Sequence, residues 1–362
     1  MPLKETIVDH NSFVLEPHLN FCDCQMKAAV LEDYGKPLAI KDVQKPQIKS
    51  GEVLIKVAAC GVCRTDLKII EGMAWKPNLP HVLGHEVAGY VEAGEVENFK
   101  KGDSVVVNQY YACGVCYYCR IGSETLCTNL KGHLGFDESG GFGEFVKAPE
   151  RNLIKIPNGV PLEEAAVAGC AVGSSLHAVK KSNIRANQTA LVQGAGGGLG
   201  VSTVQLLKLS GVNVIGVGIS EEEVKTAKRY GADNTINVKE TGLIEAVKKL
   251  TDGLGPDVVF DFVGMKETVE PGFQLLRPGG KMVVVGYGPE PFQIGAQQLT
   301  MREIELIGSR SATRQDIVDV LEMSRKGKLA PVVNKILKLD EINTALRLLK
   351  DHAAVGRSAI KF

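Results

Sequence analysis

The chain carries no net charge, no apolar run long enough to cross a bilayer, and no secretory leader pattern at its start. Its 42 Lys and Arg residues balance 42 Asp and Glu residues over 362 positions. That balance gives no bulk attraction to polyphosphate or to an anionic surface, so nucleic-acid and membrane roles find no electrostatic support. No stretch approaches the roughly 20 apolar residues that a spanning helix needs. Residues 1–25 are polar, with acids early and no apolar core of leader length, and read as an N-terminal extension. These absences point to a cytoplasmic protein. Disulfides are rare there, so clustered cysteines suggest metal. The length suits two domains, each burying its own core.

Nine cysteines are many against that background. The strongest local signal is Cys113, Cys116 and Cys119, with Cys127 eight positions further on. Four thiolates this close repel one another unless a cation neutralises them. Tetrahedral four-cysteine zinc does so and leaves no open position, which makes the site structural. A zinc-ribbon nucleic-acid module is the functional rival. Its phosphate footprint is poor here, because the interleaved residues are Tyr117, Tyr118 and Ile121, with Arg120 as the single base. Cys22 and Cys24 precede the first regular pattern and read as part of a loose arm.

A second cysteine stretch runs from Cys60 through Cys63, Arg64 and Thr65 to Asp66, after the strand-like segment Val53 to Ala59. With His85 and Cys170, Cys63 would complete a Cys₂His set, the kind that leaves the fourth zinc position open to substrate. The plain alternative is a buried structural Cys63 beside an ordinary surface histidine. On these residues alone the two readings stand level.

From Met26 to about Pro157 the pattern is strand-rich and barrel-like. An Ala-rich segment through Cys170 to Lys181 reads as helix, and strands and helices then alternate, which implies a parallel sheet covered on both faces. Leu329 to Lys338 reads as a later strand, and Arg357 to Phe362 closes the chain. Between the strand Thr189–Gln193 and a helix lies the turn Gly194 to Gly200. Glycines there let backbone N–H groups reach a pyrophosphate at the helix N-terminus, the fingerprint of dinucleotide binding. The spacing of Gly194, Gly197 and Gly200 departs from strict Gly-x-Gly-x-x-Gly. At the end of the next strand, where an acid normally grips the ribose, stand Gly218 and then Ser220. No cation follows, and Glu221, Glu222 and Glu223 read as the acidic first turn of a helix. The expectation is weak discrimination between NAD(H) and NADP(H).

Together these residues resemble the zinc-containing medium-chain alcohol dehydrogenases, from Met26 to Phe362. The markers are Cys63-Arg64-Thr65-Asp66, Gly84-His85-Glu86, the four-cysteine spacing, Cys170 and the glycine turn. The resemblance implies an α/β protein: a Rossmann domain, with a doubly wound parallel sheet, and a GroES-like β-rich catalytic domain. It divides the chain into a catalytic part at 26–171 with a zinc lobe at about 110–130, a Rossmann part at 172–308, and a return at 309–362. It implies two zinc ions, one catalytic on Cys63, His85 and Cys170 with Glu86 as an occasional ligand, and one structural on Cys113, Cys116, Cys119 and Cys127. Thr65 would bond the substrate oxygen, and Ser174 would lie near the nicotinamide. Arg64 and Arg357 would touch the pyrophosphate. Gly194, Gly197, Gly198, Leu199, Gly200, Gly218, Ser220, Val263 and Gly286 would line the cofactor site. One departure is Lys68, where many members carry a histidine of the proton path. Trp75 could shape the alcohol pocket, or equally sit in a core or interface. The implied reaction is hydride transfer between a small alcohol and a nicotinamide, in a homodimer or homotetramer. The alternatives are a polyol or sugar-alcohol dehydrogenase, a hydroxyacyl-thioester dehydrogenase, a zinc-free quinone reductase, and a binding protein with zinc only for structure.

Overall fold

Thr189–Gln193, Asn213–Gly218 and Val258–Asp261 are short runs of mostly apolar residues without alternation, as strands covered on both faces should be. In the computed structural model, which describes residues 25–73 and 75–362, they form the centre of a six-stranded parallel sheet. Cys22, Cys24 and the rest of the N-terminal arm lie outside the described residues. The sheet order is Asn234–Asn237, Asn213–Gly218, Thr189–Gln193, Val258–Asp261, Lys281–Val284, Glu305–Gly308. In chain order that is 3-2-1-4-5-6, the doubly wound Rossmann arrangement, whose ligand crevice opens beyond the carboxyl ends of the strands. One apolar cluster holds Val192, Val204 and Phe260, and another holds Leu191, Val259 and Phe273.

The remaining strands build a seven-stranded, largely antiparallel sheet around Glu52–Val62 and a three-stranded sheet around Gln25–Leu31. Arg357–Lys361 pairs antiparallel with Glu52–Val62, and Val333–Leu337 lies parallel beside it. The end of the chain thus enters the sheet that its early half begins. The strand expected over Leu329 to Lys338 is shorter at Val333–Leu337. Pro331 lacks the N–H that a ladder needs, and its carbonyl accepts from Val333 in a turn.

The expected single helix through Cys170 is three pieces: Leu162–Val167, a π-helical turn over Ala168–Val172, and Gly173–Ser182. The wider turn admits an extra residue and shifts the side chains that follow, a device frequent at functional sites. This rod packs between the two large sheets. Its Ala166, Val167 and Val172 share one apolar cluster with Ala59 and Ala88 on one side and with Leu206 and Ile317 on the other.

Candidate active site

Among the described residues, two groups of four side chains come close enough to hold a metal ion, each with its ligand atoms within 4.8 Å of one another. The first is local. Cys113, Cys116, Cys119 and Cys127 fold into a loop with two short helical turns, Tyr117–Arg120, which buries none of its residues, and Glu124–Leu126, which buries only Thr125. The Sγ atoms of Cys116 and Cys119 are 3.5 Å apart, and the Cys113–Cys119 and Cys116–Cys127 pairs are each 3.9 Å apart. A tetrahedral zinc with bonds of about 2.3 Å requires sulfur edges of about 3.8 Å, so the donor set fits. Backbone N–H groups aim at the sulfurs, Cys113 N at Cys127 Sγ and Cys116 N at Cys113 Sγ. Those from Cys119 and Thr128 draw the Cys116 thiol down to about 6.

The second group is assembled from afar. Cys63 links the strand Glu52–Val62 to the helix Arg64–Ile70, His85 immediately precedes and Glu86 opens the strand Glu86–Ala93, and Cys170 comes from the π-helical turn. Gly61 has no side chain, and the Glu86 carboxylate fills the space that its Cβ would occupy. Cys63, His85 and Glu86 are buried, and so is Asp66. Asp66 does two jobs from the third position of the helix Arg64–Ile70. Its Oδ2 accepts from Cys63 N at 2.8 Å, and its Oδ1 lies 3.2 Å from His85 Nδ1. That contact fixes the imidazole and leaves Nε2 for a metal. Burial disfavours a charged His85, but Asp66 and then Cys63 overcome it and raise its pKa well above the ordinary value.

Arg357 neutralises this pocket. Its Nη2 donates to Glu86 Oε1 at 2.7 Å and lies 3.3 Å from Cys63 Sγ, while Nε reaches Glu86 Oε2 at 3.3 Å. Burial lifts the Glu86 pKa to about 7, against the pull of Arg357. Cys63 is held well below the ordinary thiol range, first by the Cys170 thiol and next among the favourable effects by Arg357. Two thiols, an imidazole and a carboxylate offer a divalent borderline metal suitable donors.

The glycine turn borders the same pocket. A Cβ on Gly200 would collide with the Gly194 carbonyl, and one on Gly198 would meet Arg357 Cδ at 2.9 Å. Gly197 is different: nothing of the protein comes closer to its Cβ position than 3.5 Å. A helix start whose first turn lacks bulky side chains is what a pyrophosphate needs. Arg357 therefore joins the metal-ligand cluster to the dinucleotide turn.

Residues 49–158 match the alcohol dehydrogenase GroES-like domain, and residues 198–326 match the zinc-binding dehydrogenase family. An NAD-dependent alcohol dehydrogenase of Sulfolobus acidocaldarius is 38% identical over 349 residues, which is 93% of this chain and 99% of that protein. The chain belongs to the zinc-containing medium-chain alcohol dehydrogenase family. An acryloyl-coenzyme A reductase of Metallosphaera sedula is 35% identical over 338 residues, covering 92% of this chain and 98% of that protein. The crystal structure of the alcohol dehydrogenase from Aeropyrum pernix superposes with a TM-score of 0.88 at 35% identity, covering 93% of this chain and all of that one.

Around this dehydrogenase centre several expected residues find other work. Arg357 holds Glu86 and Cys63 with its fork, while its stem packs on Gly198 of the glycine turn. The physical reason is the buried Glu86 carboxylate, which would be unpaired without it. Arg64 Nη2 donates to the Leu349 carbonyl at 2.7 Å. Ser220 caps the helix Glu221–Arg229 by accepting from Glu223 N at 3.3 Å. Thr65 Oγ1 is 3.6 Å from Cys63 Sγ, and the nearby Tyr287 phenol has its pKa raised by burial. Lys68 donates to the Tyr287 carbonyl, its ammonium 3.6 Å above the Tyr287 ring. Burial lowers the Lys68 pKa. Ser174 is buried, and its neighbour Ser175 bonds the Leu199 carbonyl at 2.8 Å. Val263 and Gly286 lie side by side, since a Cβ on Gly286 would come within 2.5 Å of Val263.

The acid missing at Gly218 is supplied from the next helix. Glu223 Oε2 accepts from Ile219 N at 2.7 Å and lies 3.0 Å from where a Gly218 Cβ would be. Its Cα and Cβ cover Gly196 at 2.5 Å from that residue's Cβ position. Reading the three glutamates only as a helix start missed this. The available signal was their place: Glu223 stands three residues after Ser220, the position from which a side chain reaches back over the helix start.

Proposed function

We propose that the chain is a zinc- and nicotinamide-dependent alcohol dehydrogenase, interconverting a primary or secondary alcohol and its aldehyde or ketone. The observation that carries this is the span of Arg357, which puts the buried Cys63–His85–Cys170 group and the glycine turn one side chain apart. A dinucleotide held at that turn would have its nicotinamide within reach of the metal-ligand group. A zinc ion held by Cys63, His85 and Cys170 would supply Lewis acidity to the substrate oxygen, and nicotinamide the hydride acceptor.

The chain's own residues provide the rest. Asp66 holds His85 in the orientation that frees Nε2. Thr65 takes the hydroxyl proton, with the Tyr287 phenol close by. The Lys68 ammonium, engaged by the Tyr287 carbonyl and ring, positions that loop and is not the base. Glu86 balances Arg357 and serves as an alternative ligand. The backbone of Gly194 to Gly200 takes the pyrophosphate, while Ser174, Val263 and Gly286 border the nicotinamide. Glu223 offers its carboxylate to the ribose diol and repels a 2′-phosphate, so NAD(H) is the preferred cofactor. A second zinc closes the four-cysteine lobe. The open edge strand Glu305–Gly308, with half-exposed Leu306, suits pairing of chains into a dimer or tetramer in the cytoplasm.

Reduction of NAD⁺ by zinc-loaded protein, followed across primary, secondary and polyol substrates, tests the reading. Turnover of simple alcohols is expected. Zinc-replete protein that reduces neither NAD⁺ nor NADP⁺ with any alcohol would sink it.

A further inference from the structure

Beside His85 the cleft has an aromatic wall that hydride transfer alone does not require. The Phe136 ring stands 5.3 Å from the His85 ring, and His133 stacks on Phe136 with centroids 3.6 Å apart. Tyr110 also stacks on His133, at 4.4 Å, and Trp75 meets His133 and Phe136 edge-on at 5.7 and 5.5 Å. Over this wall lies the guanidinium of Arg310, 5.7 Å from the Trp75 ring and 5.1 Å from the Tyr110 ring.

Arg310 is held, yet mostly unspent. Its Nε donates to the Tyr110 hydroxyl at 3.2 Å. Among the described residues no carboxylate pairs with it, and its two terminal nitrogens reach no protein acceptor. The other cations of the cleft are committed: Arg357 to Glu86, Arg64 to the Leu349 carbonyl, Lys68 to the Tyr287 carbonyl. Its loop is also fixed. Gln109 donates to Ser311 Oγ at 3.2 Å and accepts from His133 Nε2 at 3.0 Å, and Ser311 sits at a φ of +53°. A non-glycine residue in that region is strained, and the surrounding bonds hold it there. A planar fork, preorganised on ring faces with both terminal nitrogens open, matches a carboxylate in the bidentate manner. A single fork suits a monoanion better than a phosphate dianion.

We propose that Arg310 anchors the far end of the substrate, and that the substrate class is a hydroxy acid: an alcohol joined by a flat or apolar body to a carboxylate. The body lies along Trp75, Tyr110 and Phe136, with the hydroxyl at the metal-ligand cluster and the carboxylate on Arg310. This rests on the dehydrogenase reading and narrows it.

Two measurements on the zinc-loaded full chain separate the two. The first compares kcat/KM for para-(hydroxymethyl)benzoate and its methyl ester, and for ω-hydroxyhexanoate and its methyl ester. The wild type is expected to favour the acid of at least one pair by about tenfold or more, the scale of a charge-assisted contact. In Arg310→Gln the acid-to-ester ratio should collapse to near one. Equal loss on both members, or a rise confined to the KM for NAD⁺, would overturn the proposal. The second uses Trp75, the chain's single tryptophan, as an optical probe that needs no turnover. Para-methylbenzoate should perturb its fluorescence more tightly than para-methylbenzamide, and Arg310→Gln should weaken the acid's Kd by about tenfold. An acid response indifferent to Arg310 means that the carboxylate sits elsewhere and defeats the proposal. An Arg310-dependent response without turnover of any alcohol leaves the anion anchor standing and removes the dehydrogenase reading instead.

Discussion

The two groups able to hold a metal share cysteine thiols and are built in opposite ways. The lobe of Cys113, Cys116, Cys119 and Cys127 is short in sequence and poor in core: Val115 is 66% and Tyr117 70% exposed. Little but the sulfurs draws it together, so an ion there contributes folding free energy directly. Cys63, His85 and Cys170 sit on three separate elements that the apolar core has already placed. Their neighbourhood is charged, with Glu86, Asp66 and Arg357 buried beside them. On the proposed reading, four thiolates with no open position would serve structure, and Cys63, His85 and Cys170 with Glu86 beside them would serve chemistry.

The largest expected effect is on turnover. Cys63→Ser should reduce alcohol oxidation to background while the melting temperature moves little, since the core and not the ion holds that pocket. Steady-state rates, zinc content and a thermal melt check this together. Retained turnover would break the contrast at its centre. Next comes Cys116→Ser, expected to cost several kcal/mol and to lower the melting temperature by roughly 10 °C or to prevent soluble folding. A lobe variant that folds and melts like the wild type would show that the loop has other support.

The remaining two leave both cysteine groups intact and sharpen what surrounds the buried one. Thr65→Val should lower kcat by roughly 10²- to 10⁴-fold at unchanged zinc content, the range for a lost proton-transfer group. Lys68→Ala should do far less, because the ammonium is held by Tyr287. Equal damage from both would make Lys68 part of the proton path. The smallest effect is on cofactor choice. Glu223→Gln keeps an acceptor and removes the charge, so the NAD⁺-to-NADP⁺ ratio of kcat/KM should fall by about tenfold. Gly218→Asp, which would restore the ordinary acid, should instead destabilise the protein, because its Cβ meets Glu223 Cβ at 2.9 Å.

Elements with local causes were legible in the chain. The four-cysteine spacing, the apolar strands around Thr189–Gln193 and the glycine turn each depend on residues near in sequence. The buried metal-ligand group was not legible in that way. Its own residues offered Cys63, His85 and Cys170 as a set but left a structural cysteine equally open, and likeness to a family chose between the two. Two residues passed unremarked for the same reason. Tyr287 and Arg310 follow the strands Lys281–Val284 and Glu305–Gly308, and nothing near them in sequence announces a cleft.

By itself the sequence determined which segments alternate, which are apolar throughout, where glycine must bend the chain, and which cysteines are close enough to need a cation. Those follow from short-range sterics, periodicity and charge repulsion, which act along the chain. Tertiary structure alone decided that the Arg357 fork pairs with Glu86, and that Asp66 stands against His85. It also set Glu223 in the place of the acid missing at Gly218, and left Arg310 with an open fork. Each is a pairing across long separations. Which partner a charged side chain takes is set by what the core brings within about 4 Å and how far water is excluded there.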